Sequence, residues 1–94
     1  MNKDDIYKKL TKLLLERGAI KIAVFGSYVK DKVKPDSDLD VIVEFEKRKS
    51  LLDLVGIEQE VSESLGIKVD LLTEKSISPY MIDSVKHEMM VIYG

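Results

Sequence analysis

Ninety-four residues, 45% hydrophobic and 34% charged with a formal net charge of −2, describe one soluble globular domain over residues 1–94, with roughly 60–65% of its unfolded surface to bury. The charge balance gives no bulk attraction to nucleic acid, and no apolar run approaches the ~18–20 residues of a membrane span. Zero cysteines and the single His87 exclude disulfides, thiolate-bound zinc, a cysteine nucleophile and a histidine cluster, which leaves only hard, oxygen-ligated metals. Acids in Met1-Asn2-Lys3-Asp4-Asp5, with no apolar segment behind them, are unlike a secretory leader, so the chain is expected in the cytoplasm.

Ile6, Leu10, Leu13 and Leu14 recur at helical spacing and predict a first helix over about residues 4–17, stopped by Gly18 in the left-handed region. Lys21-Ile22-Ala23-Val24-Phe25 is short, apolar and β-branched, and predicts a buried strand that delivers the chain into Gly26-Ser27. Residues 28–37 are polar and contain a Lys-Pro-Asp-Ser turn signature, with room for one helical turn capped by Ser27. A central strand is then expected from Leu39 to Phe45, apolar on one face, with Asp38, Asp40, Ile42 and Glu44 on the other.

Lys47-Arg48-Lys49 predicts a solvated loop, and Ser50-x-x-Asp53 a capping box that opens a helix over about 51–65, ended by Gly66. Lys68 to Leu72 makes a third strand. Ser78-Pro79 supplies an N-cap and a first-position proline for a last helix, with Ile82, Val85, Met89 and Ile92 inward, closing near Tyr93. The methionine-rich end could finish the core or meet a partner. The order is helix–strand–(turn)–strand–helix–strand–helix: an α+β fold with a small mixed sheet, helices packed on one face and a cleft on the other.

The chemistry concentrates around Asp38 and Asp40. Strand residues i and i+2 point the same way, so the two carboxylates sit about 6–7 Å apart and repel by roughly 2.5 kcal/mol at an effective dielectric near 20. A divalent cation between them removes that cost, and magnesium held by one or two carboxylates plus substrate phosphates is the commonest such ion. Upstream, Gly26 lets the backbone approach a phosphate, while the Ser27 hydroxyl and the following amides can donate to triphosphate oxygens.

Gly26-Ser27, nine residues, then Ser37-Asp38-Leu39-Asp40 resembles the signature of the polymerase-β-type nucleotidyltransferase superfamily. More narrowly, Gly26-Ser27-Tyr28, Pro35 to Val41, Ser50-Leu51-Leu52-Asp53-Leu54 and Val69-Asp70-Leu71, in a chain this short, resemble the minimal nucleotidyltransferase family over nearly the whole length. The resemblance implies a polymerase-β-like fold and an antitoxin that attaches AMP from ATP to a tyrosine of a HEPN-type toxin. It implies two magnesium ions held by Asp38, Asp40 and Asp70, Asp70 assisting the attacking hydroxyl, and Gly26, Ser27, Lys30 and Ser37 around the nucleotide. A homo- or hetero-oligomer is compatible with it, a membrane or direct nucleic-acid partner is not. Many relatives read Gly-Ser-x-Ala-Arg-Gly where this chain has Gly26-Ser27-Tyr28-Val29-Lys30-Asp31; Lys30 lacks the fork of arginine and Asp31 adds negative charge near a triphosphate. From that departure comes the alternative expectation, a catalytically weak or inactive fold that neutralises its partner by binding alone.

Overall fold

The computed structural model describes residues 2–28 and 38–94. Helix α1 (Lys3–Leu15) starts at Asn2, whose side-chain oxygen accepts the Asp5 amide at 2.9 Å, and buries Ile6, Leu10 and Leu14. It ends two residues earlier than its apolar spacing predicts. Gly18, at φ +90°, turns the chain into β1 (Ala19–Phe25), which accordingly begins before Lys21. A 3₁₀ turn over Gly26–Tyr28 follows, and β2 spans Leu39–Phe45 as expected.

Helix α2 (Leu51–Leu65) opens with the anticipated capping box. Ser50 Oγ accepts the Asp53 amide at 3.1 Å, and the Asp53 carboxylate accepts the Ser50 amide at 3.2 Å. Gly66 closes it in the left-handed region, at φ +71°. The chain then enters β3 (Val69–Leu72), a 3₁₀ turn over Glu74–Ser76, the short α3 (Ile82–Glu88) and β4 (Met90–Tyr93).

The sheet is mixed, in the order β3-β2-β1-β4. β1 runs antiparallel to β2 and to β4, and β2 runs parallel to β3 through the α2 crossover. One face meets α1 and α2 in the main core, where Leu10, Leu14, Ile22, Val24, Leu39, Val41, Val43, Val61 and Val69 are buried. Removing each large aliphatic side chain from water contributes about 1.5–3 kcal/mol. The two long helices thus cover one face, as the sequence predicts. α3 lies against the opposite face, where Val85 packs with Ala23 and Ile42.

The last segment departs from expectation. A final helix carrying Ile92 inward and closing near Tyr93 is replaced by α3, which stops at Glu88, and by a fourth strand. Ile82, Val85, Met89 and Ile92 do fall at helical intervals. However, β1 has an open edge, and backbone groups there must find partners. The β-branched and aromatic run Met-Val-Ile-Tyr supplies them, with Val24 opposite Met90 and Ile22 opposite Tyr93. Ile92 still packs against the main core, but from the strand. The start of α3 is also later than Pro79. Ser78 Oγ accepts the Tyr80 amide at 3.3 Å, its carbonyl accepts Met81 and Ile82, and the regular helix begins only at Ile82.

Two side chains of α2 fix β3. Its outer amides face no further strand among the described residues. Ser62 Oγ accepts the Val69 amide at 3.0 Å and Glu58 Oε2 accepts the Leu71 amide at 2.8 Å. An edge that would otherwise present unpaired donors is closed by α2, and the register of β3 on β2 is set from both sides. Among the described residues, no helix is long and apolar enough to cross a membrane.

Candidate active site

Strand register decides the centre of the site. Asp40 and Asp70 are direct partners on the parallel pair β2–β3, and Phe25 is the partner of Asp40 on β1. Because side chains alternate along each strand, the residues that bury Leu39 and Val41 in the main core turn Asp40 to the other face. Asp70 is turned the same way between the core residues Val69 and Leu71. The two carboxyl groups therefore stand together, half-buried, on the face opposite α1 and α2.

Gly26 completes one wall. Its φ is +77°, which side chains rarely tolerate, and a Cβ built there would strike Asp40 Oδ2, with Asp40 Cγ 3.4 Å away. Only glycine lets the strand-to-turn bend pass over that carboxylate. The turn is anchored by Tyr28, which is buried in the main core, and by Lys3 Nζ, which donates to the Tyr28 carbonyl at 2.6 Å.

Asp40 bears the electrostatic signature of the site. Partial burial pushes its pKa above the ordinary 3.8, and the neighbouring charges of Asp70 and Asp38, with a hydrogen bond that protonated Asp40 donates to the Asp70 carboxylate, push it in the same direction. Asp38 is close enough to contribute to that repulsion, yet its own carboxylate is directed to Lys68, with Oδ2 3.7 Å from Nζ. The acids therefore form a tight pair, Asp40 and Asp70, with Asp38 at its margin. No three acidic or histidine side chains among the described residues make a closed cage for a metal.

That donor set still fits magnesium. The ion commonly takes one or two carboxylates and completes its octahedron with water and substrate phosphates rather than with protein alone. A half-buried carboxylate, crowded by a second one on the neighbouring strand and with its pKa raised by burial and by that neighbour, is a position that a divalent cation would suit. Of the other expected nucleotide ligands, the Ser27 side chain, Lys30 and Ser37 lie outside the described residues, as does Asp31. His87 is exposed on α3, away from these acids in the chain and on no shared strand.

Sequence reasoning missed Glu58, Ser62 and Lys68. The first two hold the strand that carries Asp70, and their i, i+4 spacing on one face of α2 was the available signal. Lys68 pairs with Asp38 across a strand junction that periodicity does not show.

Comparison with known proteins bears on the family and the fold. The family model for the nucleotidyltransferase domain matches residues 7–92. A protein of Methanocaldococcus jannaschii, provisionally described as a protein adenylyltransferase, is 43% identical over 88 residues, which is 94% of this chain and 95% of that protein. The protein adenylyltransferase MntA of Thermococcus cleftensis is 39% identical over 82 residues, covering 86% of this chain and 83% of that one. Among solved structures, the tri-AMPylated Shewanella oneidensis HEPN toxin in complex with MNT antitoxin contains a chain that shares this fold, with a TM-score of 0.81 at 22% identity over 99% of this chain and 73% of that one.

Proposed function

Because the chain belongs to the nucleotidyltransferase family, we propose that it transfers AMP from ATP to a hydroxyl, a tyrosine's above all, of a HEPN-type toxin partner in the cytoplasm, and so acts as its antitoxin. The observation that carries the reading is the direct opposition of Asp40 and Asp70 on paired strands, with Gly26 folded against the Asp40 carboxylate. The family membership sets the reaction class. The names of the relatives, protein adenylyltransferases, and of a fold neighbour, an antitoxin bound to an AMPylated HEPN toxin, support the acceptor.

In this reaction the acceptor oxygen forms a bond to the α-phosphorus of ATP while the bond from that phosphorus to the bridging oxygen breaks and pyrophosphate leaves. Asp40 and Asp38 would hold magnesium, with Asp70 as the shared third ligand. Bound there, magnesium would supply positive charge against the charge that develops on the attacking and leaving oxygens. Asp70 would orient the acceptor hydroxyl and receive its proton. Its direct pairing with Asp40 keeps that carboxylate within one strand spacing of Asp40. The left-handed bend at Gly26 would offer its backbone to phosphate oxygens, with Ser27, Lys30 and Ser37 as the further ligands the motif implies. Holding donor and acceptor in line supplies much of the acceleration, since orientation alone can lower a barrier by about 7–11 kcal/mol.

The test is direct. Purified chain, HEPN-type partner, magnesium and ATP are incubated and the partner is weighed intact. A gain of one or more nucleoside monophosphates is expected, absent with Asp40→Asn; an unchanged mass with active ATP and folded proteins would sink the proposal. The passive-binding alternative draws on one observation, the diversion of the Asp38 carboxylate to Lys68. It predicts that Asp38→Asn, Asp40→Asn still neutralises the toxin in cells, whereas transfer requires that neutralisation is lost.

A further inference from the structure

Asp40 and Asp70 are the second row of a larger arrangement. Leu39 and Val69 pair in register on the parallel strands, and the Leu39 amide donates to the Lys68 carbonyl at 2.8 Å, so Asp38 and Lys68 stand side by side one residue ahead of them. Leu39 and Val69 are buried in the main core, and alternation turns residues 38, 40, 68 and 70 to the opposite face. The result is a square with three acidic corners and one basic corner. Asp38 lies beside Lys68, and Asp40 lies beside Asp70 about 6–7 Å further along the strands.

Lys68 is fixed at this corner by its backbone and left free at its tip. Its carbonyl is tied to β2, and the amide of the next residue, Val69, donates to Ser62 Oγ on α2 at 3.0 Å. The side chain, by contrast, is 71% exposed, and its ammonium lies 3.7 Å from Asp38 Oδ2. An exposed pair of this kind contributes little to stability, so exchanging it costs little. Among the described residues it is the only ion pair made by Asp38, Asp40 or Asp70, and Asp40 is still repelled by its acidic neighbours. The Gly26 bend lies on the other side, because β1 and β3 flank β2. The bend and Lys68 therefore bracket the acids from strands about 10 Å apart, and a triphosphate reaching from one to the other passes over the carboxylates.

We propose that Lys68 is a nucleotide-binding residue that changes partners: it holds Asp38 in the free protein and pairs with an oxygen of the β- or γ-phosphate once Asp38 turns to a divalent cation. The inference rests on the transfer reaction proposed above and adds to it a ligand for the departing pyrophosphate. Charge favours the exchange. Three carboxylates and a triphosphate carry more negative charge than two divalent ions offset, so a further cation beside the outer phosphates stabilises the bound state. A lysine suits the task, because a compact ammonium on a flexible four-carbon stem can swing from a carboxylate to a phosphate while its backbone stays in place. In this exchange the Asp38–Lys68 pair is the resting state, in which the ammonium offsets the Asp38 charge until a cation replaces it.

Lys68→Met and Lys68→Arg test the exchange, with Lys68→Gln as a second neutral variant and circular dichroism to confirm folding. Three affinities are measured with no acceptor protein present: manganese alone and AMP-PNP with magnesium by titration calorimetry, and AMP with magnesium by NMR titration into the millimolar range. In both neutral variants the AMP-PNP Kd is expected to weaken at least tenfold while the AMP Kd stays within twofold of wild type. Manganese alone should bind them as tightly as wild type or more tightly, since the ammonium no longer competes for Asp38. Lys68→Arg should restore the AMP-PNP Kd to within about threefold. An AMP-PNP Kd within twofold of wild type in Lys68→Met overturns the proposal. So does equal weakening of AMP and AMP-PNP, which would place the effect at the adenosine end or in the fold. Weaker manganese binding overturns it too, because Lys68 would then be a support for Asp38 and not its competitor. Binding is read without turnover, so the two proposals fail separately. Lys68-dependent AMP-PNP binding without any AMP transfer by wild type removes the reaction and leaves the role of Lys68; transfer by Lys68→Met at wild-type KM for ATP removes that role and leaves the reaction.

Discussion

Substituting Asp40 with asparagine should stabilise the metal-free protein while abolishing transfer. Asp40 and Asp70 are opposed on adjacent strands, whose backbones lie about 4.8 Å apart, so their carboxyl groups, which share a hydrogen bond, lie no farther than about 5 Å from each other. Two unit charges at that distance repel by about 3.3 kcal/mol at an effective dielectric of 20 and about 0.8 kcal/mol in bulk water. Both side chains are only half-buried, and solvent screening places the net penalty near 1–2 kcal/mol. Asparagine removes it and offers Asp70 an amide donor in place of a shared proton. For a domain of this size about 1 kcal/mol moves the melting temperature by roughly 4–8 °C, so Asp40→Asn should melt about 5–10 °C above wild type at pH 7 in EDTA, followed by circular dichroism. The pH dependence follows in sign. The Asp40 pKa is raised on folding, so the native chain holds the proton longer than the unfolded one and wild-type stability falls as pH rises from about 3.8 through the folded value. The advantage of the variant therefore opens across that window and is absent below it. Magnesium with AMP-PNP should narrow the gap by stabilising wild type alone, as expected of a ligand that binds only the native, charged pair. A variant that melts below wild type in EDTA at pH 7, or whose advantage is the same at pH 3, would refute the claim that the two carboxylates confront each other.

Three further outcomes follow from the packing. Gly26→Ala should lower stability by about 1–3 kcal/mol and remove activity, because a Cβ at φ +77° strikes the Asp40 carboxylate; a melting curve and an AMP-transfer assay together test both parts. Glu58→Ala leaves the Leu71 amide without its acceptor and should cost about 1–3 kcal/mol in urea unfolding, with transfer reduced through misplacement of Asp70, whereas Glu58→Gln keeps an acceptor oxygen and should stay near wild type. Ser50→Ala should destabilise by about 1 kcal/mol through loss of the α2 cap. The Asp53 pKa in that cap is lowered, first by its hydrogen bonds with Ser50, so the cap's contribution is present above the unfolded carboxylate value and lost as pH falls through the folded one; the penalty of Ser50→Ala measured at pH 7 should shrink in strong acid.

Most of the fold was legible because its causes are local. The apolar spacing of Ile6, Leu10 and Leu14, the Ser50–Asp53 capping box, Gly66 as a left-handed stop and the β-branched run from Leu39 to Phe45 each specify an element within a few residues of themselves. The fourth strand was illegible for the opposite reason. Helical spacing through Ile92 is satisfied by the sequence, and what overrides it is the open edge of β1, nearly seventy positions away in the chain. The site divides in the same way. Gly26 and the pair Asp38, Asp40 stand out by spacing and alternation. The diversion of Asp38 to Lys68 and the anchoring of β3 by Glu58 and Ser62 arise only when separate elements meet.

By itself the sequence determined which residues bear negative charge next to a phosphate-sized glycine bend, since face alternation within one strand is a property of the backbone. Which of the three acids actually confront one another was decided by tertiary structure, because the opposition of Asp40 and Asp70 is a matter of register between two strands, and register is set by the helix that packs across them.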